Sequence, residues 1–267
     1  MSAVDTALAG RWALVLGGSD GLGAAFADDV ARRGAHCLLV ARNADKLAAA
    51  AQVIASRHGV SVKTLALDLG EADAAQRLAD ATDGLELGLV VFNAGAEASG
   101  QLFIDAPLAQ WRTVIDRNIG FLTSALHLFS KRFVAQGSGA LLIVGSEAAF
   151  GGGARGALYT ASKAYALNLG ESLWAELKPL GVTVQTLVFK IADTPTLRAV
   201  LARKGIPIEA TGAVAPDCLA RATVDALFDG PVFNFDEAAD GEPSTTAAGR
   251  RARVDDVSMQ LEAFYKP

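Results

Sequence analysis

Two side chains that can exchange a proton with a substrate lie one helical turn apart. Tyr159 and Lys163 are four positions apart, which places them on the same face of a helix. A free phenol titrates near pH ~10, and a neighbouring ammonium favours its ionised form. Ser146, thirteen residues before Tyr159, follows an apolar run, so its hydroxyl is expected to hold a carbonyl or alcohol oxygen beside the phenol. These residues predict a general acid–base site at the end of a buried strand.

A glycine-rich segment near the N-terminus predicts a dinucleotide-binding turn. Gly17, Gly21 and Gly23 follow one apolar run and open a pattern with helical spacing. Glycines at these positions allow a tight turn, close approach to a pyrophosphate and close helix–strand packing. The free N–H groups at the start of the helix then face the phosphates. Because the strand–turn–helix context is present, we prefer this interpretation to a glycine-rich turn without a ligand.

The end of the second apolar run favours NADP(H) as the cofactor. An NAD site usually presents an acidic residue there, whereas this chain has Ala41, Arg42 and Asn43. The guanidinium of Arg42 suits a 2′-phosphate, although it could instead form a surface salt bridge. Asp20, in the glycine turn, would repel that phosphate if its carboxylate pointed inward. The sequence therefore favours NADP(H) and leaves NAD(H) as the alternative.

Short apolar runs alternate with helical patterns along most of the chain. Strands are predicted at 12–16, 37–41, 61–67, 87–92, 140–144, 182–188 and 232–235, and the helices between them at 21–33, 44–57, 72–82, 108–136 and 159–177. Fully apolar strands separated by helices indicate a parallel sheet covered on both faces. We predict an α/β fold: a single-domain, Rossmann-type, doubly wound sheet of about seven strands. Its ligand crevice is expected at the carboxyl ends of the strands.

Composition argues against several other classes of protein. Hydrophobic residues make up 51% of the chain and charged residues 20%, which supports a large core rather than disorder. The net charge of −5 provides no basic face for nucleic acid. Cys37 and Cys218 are far apart, and the three histidines lack metal-ligand spacing, so no metal site is expected. No secretion signal and no run of about 18 apolar residues is present, so we expect no membrane association and a cytoplasmic location.

Taken together, the motifs identify the chain as resembling the short-chain dehydrogenases/reductases up to about residue 235. The residues that support the resemblance occur in the family's order: Gly17-x-x-x-Gly21-x-Gly23, Asp68, Asn93-Ala94-Gly95, Asn118, Ser146 and Tyr159-x-x-x-Lys163. The resemblance implies that Tyr159 is the general acid/base and that Ser146 orients the substrate oxygen. Lys163 would favour the phenolate and hold the nicotinamide ribose. Asn118 would anchor a water in a proton relay.

The resemblance also implies a set of residues that line the cofactor cleft. They are Gly17, Ser19, Asp20, Gly21, Leu22, Gly23, Arg42, Asp68, Leu69, Asn93, Ala94, Gly95, Tyr159, Lys163, Lys190, Ile191 and Thr194. Within this set, Asp68 is similar to the acid that contacts the adenine. Thr194 matches the family's threonine after the sixth strand.

Three departures from the family pattern stand out. Leu16 replaces the usual threonine before the glycine turn, and Phe92 replaces an asparagine. We interpret both as packing changes that cost a stabilising hydrogen bond. Phe189 and Lys190 replace the family's Pro-Gly pair beside the nicotinamide carboxamide. Lys190 either contacts an anionic group of the cofactor or substrate, or faces solvent.

The substrate class is indicated by weaker signals. Residues 84–89 and 20–47 resemble the family branch of long-chain 3-oxoacyl and 17β-hydroxysteroid reductases. The segment 194–216 corresponds to the family's substrate-covering helices and is apolar apart from Arg203 and Lys204. We therefore expect hydride transfer between the nicotinamide and a hydrophobic ketone or secondary alcohol of 3-oxoacyl, steroid or aryl type. The alternative is a catalytically silent NADP-binding sensor or interaction protein, which would not need Asn118, Ser146, Tyr159 and Lys163 together.

We divide the chain into a dinucleotide-binding catalytic domain, 1–235, and a C-terminal addition, 236–267, packed on the same domain. The addition is expected to be a loop at 236–249 and a helix at 250–265 with Val254, Val257, Leu261 and Phe264 on one face. That helix either packs on the domain, closes over the active site or docks on a neighbouring subunit. The helices predicted at 108–136 and 159–177 correspond to those that pair in the family's oligomers, so a homodimer or homotetramer is expected.

Overall fold

The computed structural model describes residues 2–95, 100–238 and 241–265, and its side chains as far as Met259. Seven strands form one parallel sheet: β1 (Trp12–Leu16), β2 (His36–Ala41), β3 (Val62–Ala66), β4 (Leu87–Phe92), β5 (Gly139–Val144), β6 (Val182–Val188) and β7 (Val232–Asn234). Their spatial order is β3-β2-β1-β4-β5-β6-β7. The predicted Rossmann-type, doubly wound sheet is confirmed, and the strand order reverses between β1 and β4.

Apolar residues cover both faces of the central strands. All six residues of β4 are buried, and the side chains of β1 and β5 are buried except at their first residues. One face packs against helices on the side of Phe26 and Leu219, the other against helices on the side of Phe129 and Trp174. β3 is an edge strand, and Lys63 and Thr64 in it are exposed. The continuous apolar runs thus identify strands that are buried on both faces.

Helices connect the strands and cover the sheet. They are α1 (Ala3–Leu8), α2 (Gly21–Arg32), α3 (Ala44–His58), α4 (Ala74–Ala81), α5 (Leu108–Ile115), α6 (Leu122–Gln136), α7 (Ala157–Leu177), α8 (Pro195–Lys204), α9 (Pro216–Asp225) and α10 (Ala247–Tyr265). The predicted apolar face of α10 includes Val254, which is buried, and Val257, which is exposed. Leu261 and Phe264 of that face lie outside the described side chains.

The sequence patterns did not predict α1 or α9. Ser2 begins α1 with a capping box, in which its hydroxyl accepts from the Asp5 N–H and the Asp5 carboxylate accepts from the Ser2 N–H. The guanidinium of Arg33 is buried between Asp29, Asp5 and Asp225, at distances of 2.8, 3.1 and 2.6 Å. These ion pairs join both helices to α2 and satisfy a buried charge.

The helix predicted at 108–136 is not uniform. A π-helical segment, Asp116–Phe121, separates α5 from α6. Such a segment has hydrogen bonds that span five residues instead of four, and it often occurs at functional sites. It contains Asn118, which is buried.

Candidate active site

A cleft opens along the carboxyl ends of the central strands, where the strand order reverses. It consists of two adjoining cavities of about 410 and 530 Å³. Residues of the glycine turn and the end of β4 line both cavities: Gly17, Asp20, Asn93, Gly95 and, from α8, Thr196. Ser146 and Tyr159 lie in the first cavity and Arg42 in the second. One continuous cleft therefore joins the predicted acid–base residues to the predicted phosphate-binding residue.

Two positions of the glycine turn, 17 and 23, accept only glycine. Gly17 has φ +80°, a left-handed conformation that side chains strain. A Cβ on Gly23 would lie 2.0 Å from the carbonyl oxygen of Gly17, so a side chain there would separate α2 from the turn. Asn93 holds the same turn from β4, because its Nδ2 donates to the Gly17 carbonyl at 3.2 Å. The backbone is thus shaped for close approach by a flat or extended ligand such as a pyrophosphate.

The far end of the cleft carries two cations. Arg42 and Lys46 line it together with Asp68, whose Oδ1 accepts from the Gly70 N–H at 3.0 Å. The ammonium of Lys46 lies 2.8 Å from the carboxylate of Asp20. Asp20 is the N-cap residue of α2, yet its side chain makes no capping hydrogen bond. Its charge is therefore partly neutralised by Lys46.

Lys46 was not among the residues predicted from the sequence. It occupies the third position of α3, where the Asn43 side chain caps the helix by accepting from the Lys46 N–H at 2.9 Å. A basic residue in the first turn after Arg42 is the signal that would have identified it. The rim of the cleft thus presents a guanidinium just after β2, at Arg42, and an ammonium in the first turn of α3, at Lys46.

Tyr159 and Lys163 share one face of α7, as their spacing predicts. The ammonium of Lys163 donates to the carbonyl of Val144, the last residue of β5, at 2.8 Å. It lies 5.7 Å from the centroid of the Tyr159 ring. Burial lowers the pKa of Lys163 to about 8, because the surrounding protein disfavours the charged form. The phenol and the ammonium are therefore held together at the end of β5.

Ser146 is fixed by the backbone on both sides. The Gly145 N–H donates to the Leu187 carbonyl at 2.7 Å, and the Glu147 N–H donates to the Phe189 carbonyl at 3.0 Å. The Ser146 Oγ caps a short 3₁₀ helix, Glu147–Phe150, by accepting from the Ala148 N–H at 3.2 Å. This cap leaves the Ser146 O–H free to donate to a ligand in the cleft.

Asn118 and Lys163 line a small cavity of about 30 Å³, large enough for at least one water. Its Nδ2 faces the Ser162 hydroxyl at 3.5 Å, and that hydroxyl donates to the Tyr159 carbonyl at 2.8 Å. Among the described residues, the Asn118 Oδ1 is buried without a hydrogen-bond partner. This acceptor and the cavity fit the water site that the resemblance implies.

The loop after β6 forms the opposite wall of the cleft. The Lys190 side chain is exposed and lines the cavity that contains Tyr159, while its N–H donates to the Asp236 carboxylate at 2.7 Å. Phe189 packs on the core. Thr194 caps α8, since its Oγ1 accepts from the Leu197 N–H at 3.2 Å. A Cβ on Gly21 would lie 3.3 Å from the Thr194 side chain, so this loop crosses the glycine turn.

The structure brings nearly all the predicted site residues to the cleft or to the cavity behind it. The lining residues are Gly17, Ser19, Asp20, Gly21, Leu22, Arg42, Asp68, Leu69, Asn93, Ala94, Gly95, Asn118, Ser146, Tyr159, Lys163, Lys190, Ile191 and Thr194. Gly23 instead packs beneath the turn. Across residues 2–95, 100–238 and 241–265, no three His, Cys, Asp or Glu residues form a group that could hold a metal ion.

No helix among the described residues has the length and apolarity needed to cross a lipid bilayer.

Comparison with known proteins gives a consistent picture. A family model described as short chain dehydrogenase matches residues 11–205. The chain is 32% identical over 187 residues to a 7β-hydroxysteroid dehydrogenase of Clostridium sardiniense, covering 70% of this chain and 71% of that one. It is 31% identical over 182 residues to very-long-chain 3-oxoacyl-CoA reductase-B of Danio rerio, covering 67% of this chain and 58% of the relative.

The fold is similarly shared with solved structures. A short-chain dehydrogenase from Sphingobium yanoikuyae, determined in complex with NADPH, superposes with a TM-score of 0.78 at 28% identity. The superposition covers 95% of each chain. The likeness therefore includes the C-terminal part of the fold as well as the segment that the family model matches.

Proposed function

Because the chain belongs to the short-chain dehydrogenase family, we propose that it is an NADP(H)-preferring oxidoreductase that interconverts a hydrophobic ketone and its secondary alcohol. The observation that supports this most directly is the common cleft of Ser146, Tyr159 and Lys163 with the glycine turn. A general acid/base, a hydroxyl donor and a buried cation meet there, at the switch point of the sheet.

Each of the four polar residues has a defined task in this proposal. Tyr159 donates a proton to the ketone oxygen in reduction and takes it back in oxidation, while Ser146 donates a hydrogen bond to the same oxygen. Lys163 favours the phenolate of Tyr159 and holds the ribose of the cofactor. Asn118 accepts a hydrogen bond from a water that resupplies the proton. When bound, the nicotinamide cofactor supplies or accepts the hydride.

The two cations at the rim support a preference for NADP(H). A 2′-phosphate would accept from the guanidinium of Arg42 and from the ammonium of Lys46. The carboxylate of Asp20 would repel a 2′-phosphate. Its ion pair with Lys46 at 2.8 Å partly neutralises that charge. The NADPH bound by the Sphingobium yanoikuyae relative is consistent with this choice.

The first cavity favours an apolar substrate with one anionic group. Its wall beyond Tyr159 includes Phe189, Ile191, Leu197 and Val200. Lys190 lies on the same wall, so we propose that it contacts a carboxylate or phosphate of the substrate or of the cofactor. The names of the relatives, a hydroxysteroid dehydrogenase and a 3-oxoacyl-CoA reductase, fit a steroid, acyl thioester or aryl ketone.

Two measurements test the function. NADPH fluorescence titration detects binding, and a panel of steroid ketones, acyl thioesters and aryl ketones detects turnover. We expect micromolar binding and turnover on at least one class. Tight NADPH binding without turnover on any class would instead favour the silent sensor or interaction protein. Absence of NADPH and NADH binding would contradict both proposals.

We further propose that residues 1–235 form the catalytic domain and that 236–267 pack on it. The ion pair between Arg250 and Glu171 supports this packing, since it joins α10 to α7. A homodimer or homotetramer remains our prediction, with α5, α6 and α7 at the interface. Size-exclusion chromatography with light scattering checks it, and a strict monomer at micromolar concentration would contradict it.

A further inference from the structure

A buried arginine joins the C-terminal helix to the helix that bears the acid–base residues. The guanidinium of Arg250, in α10, forms a two-point ion pair with the carboxylate of Glu171 in α7, with one N···O distance of 2.6 Å. The side chains are only 9% and 6% exposed. Glu171 follows Lys163 by about two helical turns. Arg250 also donates to the carbonyl of Ser244 at 3.0 Å, so the guanidinium is held from a second side.

The same guanidinium contacts the segment that holds Ser146. Its central carbon lies 6.0 Å from the centroid of the Phe150 ring, within the range of a cation–π contact. Phe150 ends the 3₁₀ helix that Ser146 caps. Phe150 also packs with Leu167 of α7 and Val188 of β6. Arg250 therefore touches both the turn of Ser146 and the helix of Tyr159 and Lys163.

Stability alone does not explain a buried ion pair at this place. Taking two charges out of water is costly, and apolar residues of similar volume often give equal or greater stability. What such a pair provides is geometry, because a planar guanidinium paired at two points fixes distance and orientation together. The contacts join two segments whose relative placement decides the acid–base chemistry.

We propose that Arg250 is a positioning residue that sets the placement of Ser146 relative to Tyr159 and Lys163. The proposal rests on the oxidoreductase function proposed above. Glu171 holds the guanidinium, and Phe150 transmits its position to the Ser146 turn. The C-terminal addition is then part of the catalytic unit, although it supplies no group to the substrate.

The test replaces the ion pair without leaving a buried charge. Arg250→Met alone would strand the Glu171 carboxylate and destabilise the protein strongly, so the variant is the double substitution Glu171→Met/Arg250→Met. In the full chain, we expect it to fold with a melting temperature near that of the wild type. We expect kcat to fall about 10- to 100-fold, because small misplacements of reacting groups have effects of this size. KM for NADPH should change less than twofold.

Two further variants separate positioning from packing. Arg251→Met changes the next residue of α10, which is exposed and lies 5.5 Å from the Trp174 ring, and should leave kcat unchanged. Arg250→Lys keeps a charge but lacks the planar fork, so its kcat should lie between those of the wild type and the double variant.

Hydrogen exchange supplies a readout that needs no turnover. In the double variant, amides of residues 146–150 should exchange faster, while those of β5 keep their protection. Unchanged exchange at 146–150 would overturn the proposal, as would a double variant with the kcat of the wild type. A wild-type protein without turnover would instead contradict the proposed function, and the exchange comparison would still decide the role of Arg250.

Discussion

Leu16 and Phe92 are register partners on β1 and β4, the two central strands, and both side chains are buried beside the cavity of Asn118. The family pattern has a threonine and an asparagine at these positions. The two departures therefore form one contact, in which an apolar pair replaces a polar pair. Replacing only one member leaves a polar group without its partner.

The pair predicts coupled effects on stability. Leu16→Thr should lower the free energy of unfolding by about 1–3 kcal/mol, and Phe92→Asn by about 3–5 kcal/mol. The double variant should lose roughly 1 kcal/mol less than the sum, since the new groups can hydrogen-bond to each other. Urea unfolding measures all three. Val15→Thr is the control, because Val15 lies on the opposite face of β1. Its loss of stability should add to that of Phe92→Asn. If the losses from Leu16→Thr and Phe92→Asn were also additive, the proposed coupling would be contradicted.

Tyr159→Phe removes the proposed acid and leaves the ring. We expect kcat to fall about 10²- to 10⁴-fold, while the dissociation constant for NADPH changes less than twofold. Tyr165→Phe is the matched control. Tyr165 lies further along α7, and its hydroxyl is 2.6 Å from the Thr123 hydroxyl on the exposed side. Turnover by Tyr159→Phe equal to that of the control would exclude Tyr159 as the general acid.

Cofactor preference should depend on both cations of the rim. Arg42→Leu and Lys46→Met should each weaken NADPH binding about tenfold, because each would remove a charge-assisted hydrogen bond that we propose to the 2′-phosphate. NADH binding should change less than twofold. Arg57→Met is the control, since Arg57 lies in the last turn of α3 and forms a surface ion pair with Asp28 at 2.8 Å. An equal loss of NADH and NADPH affinity would argue against a 2′-phosphate site.

The affinity for NADPH should decrease as the pH rises through about 8. Burial lowers the pKa of Lys163 to about 8, so its ammonium is charged below that pH and neutral above it. In the proposed site, the charged form is the one that would attract an anionic cofactor and donate to the ribose. Fluorescence titrations from pH 6 to 10 measure this inflection. Tyr159→Phe should retain it and Lys163→Met should lose it; an inflection that persists in Lys163→Met would assign it to another group.

Lys190→Ala tests the role of the basic residue that lines the cavity of Tyr159. If Lys190 contacts an anionic substrate, KM for a ketone with a carboxylate should rise about tenfold, and KM for a neutral ketone of similar size should stay constant. If Lys190 contacts the cofactor, the dissociation constant for NADPH should rise instead. Lys178→Ala, which lies over the Trp174 ring, is the control. Unchanged constants for both ligands would leave Lys190 a solvent-facing residue.

The strands could be predicted closely from the sequence because each buried strand is a continuous apolar run. All seven occur within one residue of the predicted bounds. The motif residues also converged, since Ser146 and the glycine turn each begin within two residues of a strand whose carboxyl end faces the cleft. Local sequence patterns of this kind predict the site because the doubly wound topology gathers the carboxyl ends of the strands on one edge of the sheet.

Features that depend on distant contacts could not be predicted. The π-helical segment around Asn118 has no local sequence signal that distinguishes it from the helix on either side. α9 has a narrow apolar stripe, and its burial depends on packing against α2. The Arg250–Glu171 ion pair joins residues 79 positions apart, and neither residue type indicates a partner. In the sequence, nothing distinguishes Lys46 from an ordinary surface lysine, and only the fold places it beside the cleft.

Trp12 of β1 pairs with Leu87 of β4, so one edge of the first strand has no neighbour until the ribosome has made the chain through Phe92. During that interval the nascent chain exposes an apolar sheet edge. Two such chains on one polysome can associate through these edges before either folds. Rapid synthesis at high temperature should therefore drive this protein toward inclusion bodies, and slower translation should raise the yield of native protein.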